Sequence, residues 1–123
     1  MLRLASTKPE ISVVNDQVGS PTYTKDLAKL LIDMSLTEKY GIYHATNEGY
    51  CSWHDFAKKI FELTNTTILL NSISSEEYPQ KALRPKNSRL SKECLIQNGF
   101  EKLQNWEDSL PEYIEELRQE HIL

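Results

Sequence analysis

Long apolar runs and targeting signals are both missing from this sequence of 123 residues. No apolar run approaches the roughly 20 residues that a membrane helix needs. The opening stretch MLRLASTKPE has no apolar core followed by a small-residue cleavage site. The sequence therefore predicts neither a membrane-spanning helix nor a secretory signal.

Cysteine is scarce as well. Cys51 and Cys94 are the only two cysteines, and they form no CxxC pair. This pattern predicts neither a zinc site nor a disulfide framework. We therefore expect reduced thiols in a cytoplasmic protein.

Charge is unevenly distributed along the chain. Residues 101–123 carry seven acidic and two basic side chains, so their net charge of −5 leaves +1 for residues 1–100 in a total of −4. Between Tyr78 and Lys92 there are five basic residues and no acidic one. Such a short basic segment favours a small phosphorylated ligand. A nucleic acid binder would show a broader basic face, so we expect no nucleic acid partner.

The apolar pattern predicts a mixed α/β domain with a few short strands and about four helices. Strands are predicted at 11–14, 40–46 and 66–70 because β-branched and aromatic residues cluster there. A first helix, capped by Thr24, is predicted to run to about Lys39. Ser52 and Asp55 have the spacing of a capping box, which opens a second helix with Trp53 on its core face.

Two further helices are predicted near the C-terminus, and the start of each is left open. The first begins at Ser88 or Ser91 and ends at Gly99, which suits a left-handed C′ residue. The second begins either at Asn105, with a kink at Pro111, or at Ser109, with the proline in its first turn.

Three places are candidates for ligand binding. Residues 16–22 and 46–50 each follow a predicted strand, where ligands bind in open α/β sheets. The third is the basic segment 81–89, in which Arg84 could hold a phosphate through two parallel hydrogen bonds. The alternatives are a tight turn at 16–22 and a solvated or helix-capping role for Arg84.

Catalytic signatures are absent. The sequence contains no GxGxxG or GxxGxxG loop, no GxSxG, no HExxH and no P-loop. A Tyr-x-x-x-Lys pair is missing too, because the residues four positions after the six tyrosines are Leu27, His44, Asn47, His54, Ala82 and Leu117. On these residues alone, the chain is catalytically incomplete.

Four blocks of the sequence, in order, carry a resemblance to one family. They are DQVGSPTYTKDLA, YGIYHATNEGYCSWHDFAKKIF, EYPQKALRPKNSRLSKECL and NWEDSL. Together they resemble the C-terminal, substrate-binding half of the dTDP-4-dehydrorhamnose reductases, members of the extended short-chain dehydrogenase/reductase group. The resemblance runs from about Ile11 to about Leu117.

The resemblance implies a function that this chain would share with a longer enzyme. That enzyme reduces dTDP-4-dehydro-L-rhamnose to dTDP-L-rhamnose with NADPH, for cell-surface polysaccharides. The Rossmann domain, the NADPH loop and the catalytic Tyr-x-x-x-Lys would lie in an N-terminal half, and this chain alone would be inactive and bind no cofactor. Residues 1–123 would then be a single domain, with 1–10 the end of a preceding helix. Apolar surface at Leu2, Leu4, Trp53 and Phe56 would be exposed and could promote self-association.

The resemblance also implies a set of substrate-binding residues. The family's D-Q-x-G-x-P-T segment matches Gln17, Gly19, Ser20, Pro21 and Thr22, and its R-P-x-N-S segment matches Arg84 and Asn87. Arg84 is expected to contact the nucleotide diphosphate. We assign no catalytic, cofactor-binding or metal-binding residue to this chain. Two alternatives stay open: a non-catalytic sugar-nucleotide-binding or regulatory module, and another reductase or epimerase of the extended group.

Overall fold

A computed structural model describes residues 1–79 and 82–123, which form a mixed α/β structure, as predicted. The elements in chain order are α1 Leu2–Ala5, β1 Glu10–Val14, β2 Val18–Gly19, α2 Thr24–Ser35, β3 Cys51–Ser52, α3 Trp53–Leu63, β4 Leu69–Ile73, α4 Glu93–Gln97 and α5 Trp106–Gln119. Among the described residues, none of the helices has the length and apolar character needed to cross a membrane.

The chain folds into two compact units, each built from two separate segments. The first unit contains Met1–Gly19 and Cys51–Ser88, and the second contains Ser20–Tyr50 and Arg89–Leu123. Two residues of the first unit's range, Gln80 and Lys81, lie outside the described part of the chain. The predicted basic segment 81–89 is therefore described only from residue 82 onward.

The first unit is built around a parallel pair of strands, β1 and β4, on which α3 packs. Ile11 and Val13 of β1 are buried against Ala57 and Phe61 of α3. The strand predicted at 11–14 is thus confirmed. The strand predicted at 66–70 begins later, at Leu69, because the chain first leaves α3 through a left-handed turn at Asn65 (φ 51°).

A capping box opens α3, as the sequence predicts. The Ser52 Oγ accepts a hydrogen bond from the Asp55 amide at 3.0 Å, and the Ser52 amide donates to Asp55 Oδ2 at 3.1 Å. The Ser52 hydroxyl also donates to Asp55 Oδ2 at 2.7 Å, and this hydrogen bond, together with that of the Ser52 amide, holds the pKa of Asp55 below its ordinary value. Trp53, however, is 55% exposed, so its predicted place on the core face is wrong. Trp53 is the first residue of the helix, and it is not part of the core cluster that Ala57 and Phe61, farther along the helix, form with β1.

The second unit has a core of Leu30, Leu95 and Leu103. The strand predicted at 40–46 is wrong, since these residues pair with no strand within the described part of the chain. Tyr40 and Ile42 are 87% and 86% exposed, and the segment is held by packing of Tyr43 and Ala45 on this core. Its β-forming residues have no neighbouring strand with which to exchange hydrogen bonds.

The helix boundaries of the second unit resolve the alternatives left by the sequence. The N-cap residue of α2 is Tyr23, not Thr24. The N-cap residue of α4 is Lys92, whose side chain forms no capping hydrogen bond, but the Ser91 Oγ accepts from the first helical amide, that of Glu93, at 3.4 Å. Gly99 follows α4 with φ 76°, which confirms the predicted C′ position. Asn105 caps α5 by accepting a hydrogen bond from the Glu107 amide, and Pro111 lies inside that helix.

Candidate functional site

In the first unit, the predicted substrate-binding segment forms the short strand β2 between two neighbours. On one side, Val18 pairs with Ser52 of β3 in antiparallel orientation. On the other side, the Val18 amide donates to the Lys86 carbonyl and the Ser88 amide donates to the Val18 carbonyl, both at 2.9 Å. Val18 and Asn87 are therefore paired in parallel, which brings together two motifs that lie about seventy positions apart in the sequence.

Gly19 allows this close approach because it has no side chain. A Cβ atom at this position would lie 2.6 Å from the Ser88 Oγ, well inside the normal contact distance. Ser88 is itself held in place, since its Oγ donates to the Val18 carbonyl at 3.2 Å. The glycine of the D-Q-x-G motif thus leaves room for the Ser88 hydroxyl in its present position beside β2.

Gln17 is buried, and a neighbouring serine holds its side chain. Its Nε2 donates to the Ser75 Oγ at 2.9 Å, and that hydroxyl donates to Asp16 Oδ1 at 2.6 Å. The Ser75 hydroxyl and amide, with Lys86 Nζ 3.4 Å from Asp16 Oδ2, hold the pKa of Asp16 below its ordinary value. The Gln17 amide nitrogen therefore belongs to a polar network with fixed geometry.

Arg84 is exposed in the first unit. Within residues 1–79 and 82–123, its guanidinium takes part in no ion pair or hydrogen bond. The structure therefore brings Asn87 to β2 and leaves Arg84 without such a contact. The helix-capping alternative for Arg84 receives no support from the described contacts.

In the second unit, the predicted residues Ser20, Pro21 and Thr22 form a turn that is held at both ends by one loop. The Ser20 Oγ donates to the Gly49 carbonyl at 2.7 Å. The Tyr23 amide, just beyond Thr22, donates to Asn47 Oδ1, also at 2.7 Å. Residues 47–49 therefore determine the conformation of this turn.

Asn47 is the residue that sequence reasoning missed. It is 0% exposed, and its Nδ2 lies 2.6 Å from Asp26 Oδ2 and 2.7 Å from the Ser109 Oγ. The Ser109 hydroxyl donates to the same Asp26 oxygen at 2.7 Å. The only advance signal was the position of Asn47 in the polar stretch 46–50, since its partners lie 21 and 62 residues away in sequence.

The loop that contains Asn47 is also held by an ion pair between a buried lysine and a partly exposed glutamate. Lys92 Nζ lies 2.5 Å from Glu48 Oε1 and donates to the Asn47 carbonyl at 3.2 Å. Lys102 Nζ lies 3.2 Å from Glu48 Oε2. Burial disfavours ionisation of Glu48, but the two ammonium groups more than offset it and hold its pKa below the ordinary value.

Comparison with known proteins places these features in one family. The family model described as the RmlD substrate binding domain matches residues 1–119. The chain belongs to this family. In the described part of the chain, no group of three or more histidine, cysteine or acidic side chains is arranged to hold a metal ion.

Relatives of this RmlD substrate binding domain include a curated protein and two solved structures. The chain is 44% identical over 116 residues to the spore coat polysaccharide biosynthesis protein SpsK of Bacillus subtilis, with 94% of this chain and 40% of the relative covered. A dTDP-4-dehydrorhamnose reductase of Bacillus anthracis, solved in complex with NADP, is 43% identical with a TM-score of 0.88 over 94% of this chain and 40% of that one. A Clostridium acetobutylicum dTDP-4-dehydrorhamnose reductase is 40% identical with a TM-score of 0.91, over 95% and 42% of the two chains.

The predicted family is therefore confirmed, and so is the predicted partial coverage. The chain spans about 40% of the length of the curated relatives it matches. The Bacillus anthracis reductase binds NADP in its crystal structure. A related enzyme thus binds a nicotinamide cofactor, in agreement with what the resemblance implied for the family.

Proposed function

We propose that this chain is the sugar-nucleotide-binding part of a dTDP-4-dehydrorhamnose reductase. The longer enzyme would reduce dTDP-4-dehydro-L-rhamnose to dTDP-L-rhamnose with NADPH, for polysaccharide synthesis in the cytoplasm. The observation that carries this proposal is the match of the RmlD substrate binding domain to residues 1–119. The name of the SpsK relative, a spore coat polysaccharide biosynthesis protein, supports the polysaccharide product.

In the first unit, the proposed ligand contacts are Gln17, Gly19, Arg84 and Asn87. Pairing of Val18 with Asn87 supports a shared role for the two motifs, since one backbone ladder carries both. Arg84 would hold the diphosphate through paired charge-assisted hydrogen bonds. Its exposed guanidinium forms no ion pair with the described residues, so binding a phosphate would break no such pair.

In the second unit, the proposed contacts are Ser20, Pro21 and Thr22. Hydrogen bonds at both ends of this turn support the role, because a surface already held in one conformation loses less entropy on binding. The proline restricts the same turn further by limiting its own φ.

The remaining part of the proposal concerns what this chain does alone. Residues 1–123 would act as one substrate-binding domain, and within 1–10 only the short helix α1, which ends at Ala5, would continue a helix from the preceding half. That half would bind NADPH and supply the hydride chemistry. By itself, this chain would bind dTDP but neither bind NADPH nor reduce the sugar.

A calorimetric titration of the chain with dTDP, and separately with NADPH, tests this proposal. We expect saturable heat with dTDP and none with NADPH. Arg84→Ala is expected to weaken dTDP binding by about tenfold or more, since a hydrogen bond to a charged group contributes about 1.5–3 kcal/mol. Arg118→Ala on α5 is the matched control, because it removes an exposed arginine that pairs with Glu115.

Two outcomes would contradict the proposal. If the folded chain bound no dTDP at millimolar concentration, its assignment as the nucleotide-binding part would be wrong. If Arg84→Ala and Arg118→Ala weakened dTDP binding equally, Arg84 would have no specific contact with the diphosphate.

A further inference from the structure

Lys92 is a charged side chain in an unusual place. The sequence groups it with the basic residues expected to attract a phosphorylated ligand, yet its side chain is only 5% exposed. Buried lysines are rare unless they are paired, because removing the ammonium group from water is costly. Lys92 meets this requirement inside the second unit, where it lies against Glu48 and the Asn47 carbonyl.

Both partners of Lys92 belong to the loop that holds the turn at Ser20–Pro21–Thr22. The backbone of this loop is also tied to the segment before α5. The Glu48 amide donates to the Gln104 carbonyl, and the Trp106 amide donates to the Glu48 carbonyl, each at 3.0 Å. Lys92 thus adds one contact to the Glu48 carboxylate and one to the Asn47 carbonyl. Lys102 on Glu48, Asp26 and Ser109 on the Asn47 side chain, and the backbone pairing hold the same loop.

From this loop, two hydrogen bonds reach the turn. One joins the Ser20 Oγ to Gly49, and the other joins the Tyr23 amide to Asn47. A change in the loop's conformation must therefore move the acceptors at both ends of the turn. Lys92 contacts neither Ser20 nor Thr22 through any of its described hydrogen bonds or ion pairs.

We propose that Lys92 is a positioning residue for ligand binding: its buried ammonium fixes residues 47–49, and these fix the Ser20–Thr22 turn in its binding conformation. The identification of the ligand as dTDP, or a sugar nucleotide that contains it, rests on the proposed function. The positioning itself rests on the hydrogen bonds and the ion pair of the second unit.

The test compares Lys92→Met with Lys102→Met. Each variant removes one ammonium group from Glu48, but Lys102 is 43% exposed and is within bonding distance of Glu48 only. Amide hydrogen exchange at Glu48 and Tyr23 reports the loop and the turn without any ligand. Calorimetry with dTDP, well below the unfolding temperature, reports binding.

We expect Lys92→Met to speed exchange at Glu48 and Tyr23 by about tenfold and to weaken dTDP binding by about tenfold. Lys102→Met is expected to change both by less than about twofold, because a partly exposed ion pair contributes little. Unchanged exchange at Tyr23 and unchanged dTDP affinity in a folded Lys92→Met variant would overturn the proposal.

A second variant covers the case in which Lys92→Met is too unstable to study. Lys92→Met combined with Glu48→Leu replaces this partly buried ion pair by an apolar pair, a change that is often neutral or stabilising for buried pairs. We expect the unfolding temperature to recover while exchange at Tyr23 stays fast, since the Asn47 carbonyl still lacks its ammonium donor. Recovery of wild-type exchange and dTDP affinity in this double variant would show that Lys92 acts only through stability.

The two proposals can fail separately. If the wild-type chain binds no dTDP, the proposed function is contradicted. Exchange at Glu48 and Tyr23 would still decide whether Lys92 positions the turn.

Discussion

Replacing Asn47 by alanine removes its side-chain amide, which forms hydrogen bonds with four residues of the second unit: Tyr23, Asp26, Gln104 and Ser109. The Tyr23 amide would lose its acceptor, Asn47 Oδ1. Asp26 would lose one of its donors but keep the Ser109 hydroxyl, and the Gln104 carbonyl would keep the Glu48 amide. The cost therefore comes from one orphaned backbone donor and one lost hydrogen bond to a carboxylate.

These two losses set the size of the effect. A polar group left without a partner costs about 1–3 kcal/mol, and a hydrogen bond to a charged group contributes about 1.5–3 kcal/mol. We therefore expect Asn47→Ala to lower the free energy of unfolding of the second unit by about 2.5–6 kcal/mol, the sum of the two ranges. A loss of that size is a large part of the stability of a small domain.

Asn47→Asp is the near-isosteric comparison. It keeps an acceptor for the Tyr23 amide but places a carboxylate oxygen where Nδ2 now lies 2.6 Å from Asp26 Oδ2. Two carboxylates at that distance raise the pKa of one of them in the folded state. A raised carboxyl pKa destabilises the fold at neutral pH, and this cost falls as protonation relieves the repulsion. We expect the stability deficit of Asn47→Asp to shrink between about pH 7 and pH 5, whereas that of Asn47→Ala stays constant.

Urea denaturation followed by tryptophan fluorescence measures both variants. The chain has two tryptophans, and Trp106 is buried in the second unit, so a Trp53→Phe background makes the signal specific to that unit. A loss below about 1 kcal/mol for Asn47→Ala would refute the reasoning, because it would fall short of even one neutral hydrogen bond. A pH-independent deficit for Asn47→Asp would also refute it.

Two further predictions concern the first unit and acid stability. Gly19→Ala is expected to destabilise the first unit by about 0.5–1.5 kcal/mol, because the exposed Ser88 hydroxyl must rotate away and lose its hydrogen bond to the Val18 carbonyl. Ser88→Ala should restore most of that loss in the double variant. Urea denaturation followed by Trp53 fluorescence measures both, and a double variant as unstable as Gly19→Ala would contradict this prediction. The depressed pKa values of Glu48 and Asp55 contribute stability that is present above their ordinary pKa values, near 4, and lost as pH falls through the folded values. The unfolding temperature should thus drop below about pH 4. Glu48→Gln should flatten that drop, and an identical slope in the variant would count against the Glu48 contribution.

Local signals in the sequence predicted the features whose partners lie close along the chain. The Ser52–Asp55 capping box and Gly99 depend on residues within a few positions, so residue type and spacing were sufficient. The Asn105 cap was one of two alternatives that the sequence left open, because Ser109 has equally suitable neighbours. The strand expected at 40–46 was wrong because strand formation needs a neighbouring strand, which propensity alone does not provide.

Contacts between distant residues account for what the sequence did not reveal. Lys92 was grouped with the exposed basic residues, but it is buried in an ion pair with Glu48, which lies 44 positions earlier in the sequence. Asn47 was one polar residue among several in a predicted loop, and its burial depends on residues of α2 and α5. The pairing of Asn87 with Val18 likewise depends on how the first unit folds.

The claim that this chain is the sugar-nucleotide-binding part of a reductase is tested most directly by transplanting it into a complete reductase. The matching 40% of the Bacillus anthracis dTDP-4-dehydrorhamnose reductase would be replaced by these 123 residues. NADPH oxidation with dTDP-4-dehydrorhamnose would then be measured for the chimera and for this chain alone. We predict turnover by the chimera and none by the isolated chain. A folded chimera that binds NADPH but does not reduce the sugar nucleotide would contradict it, as would turnover by the isolated chain.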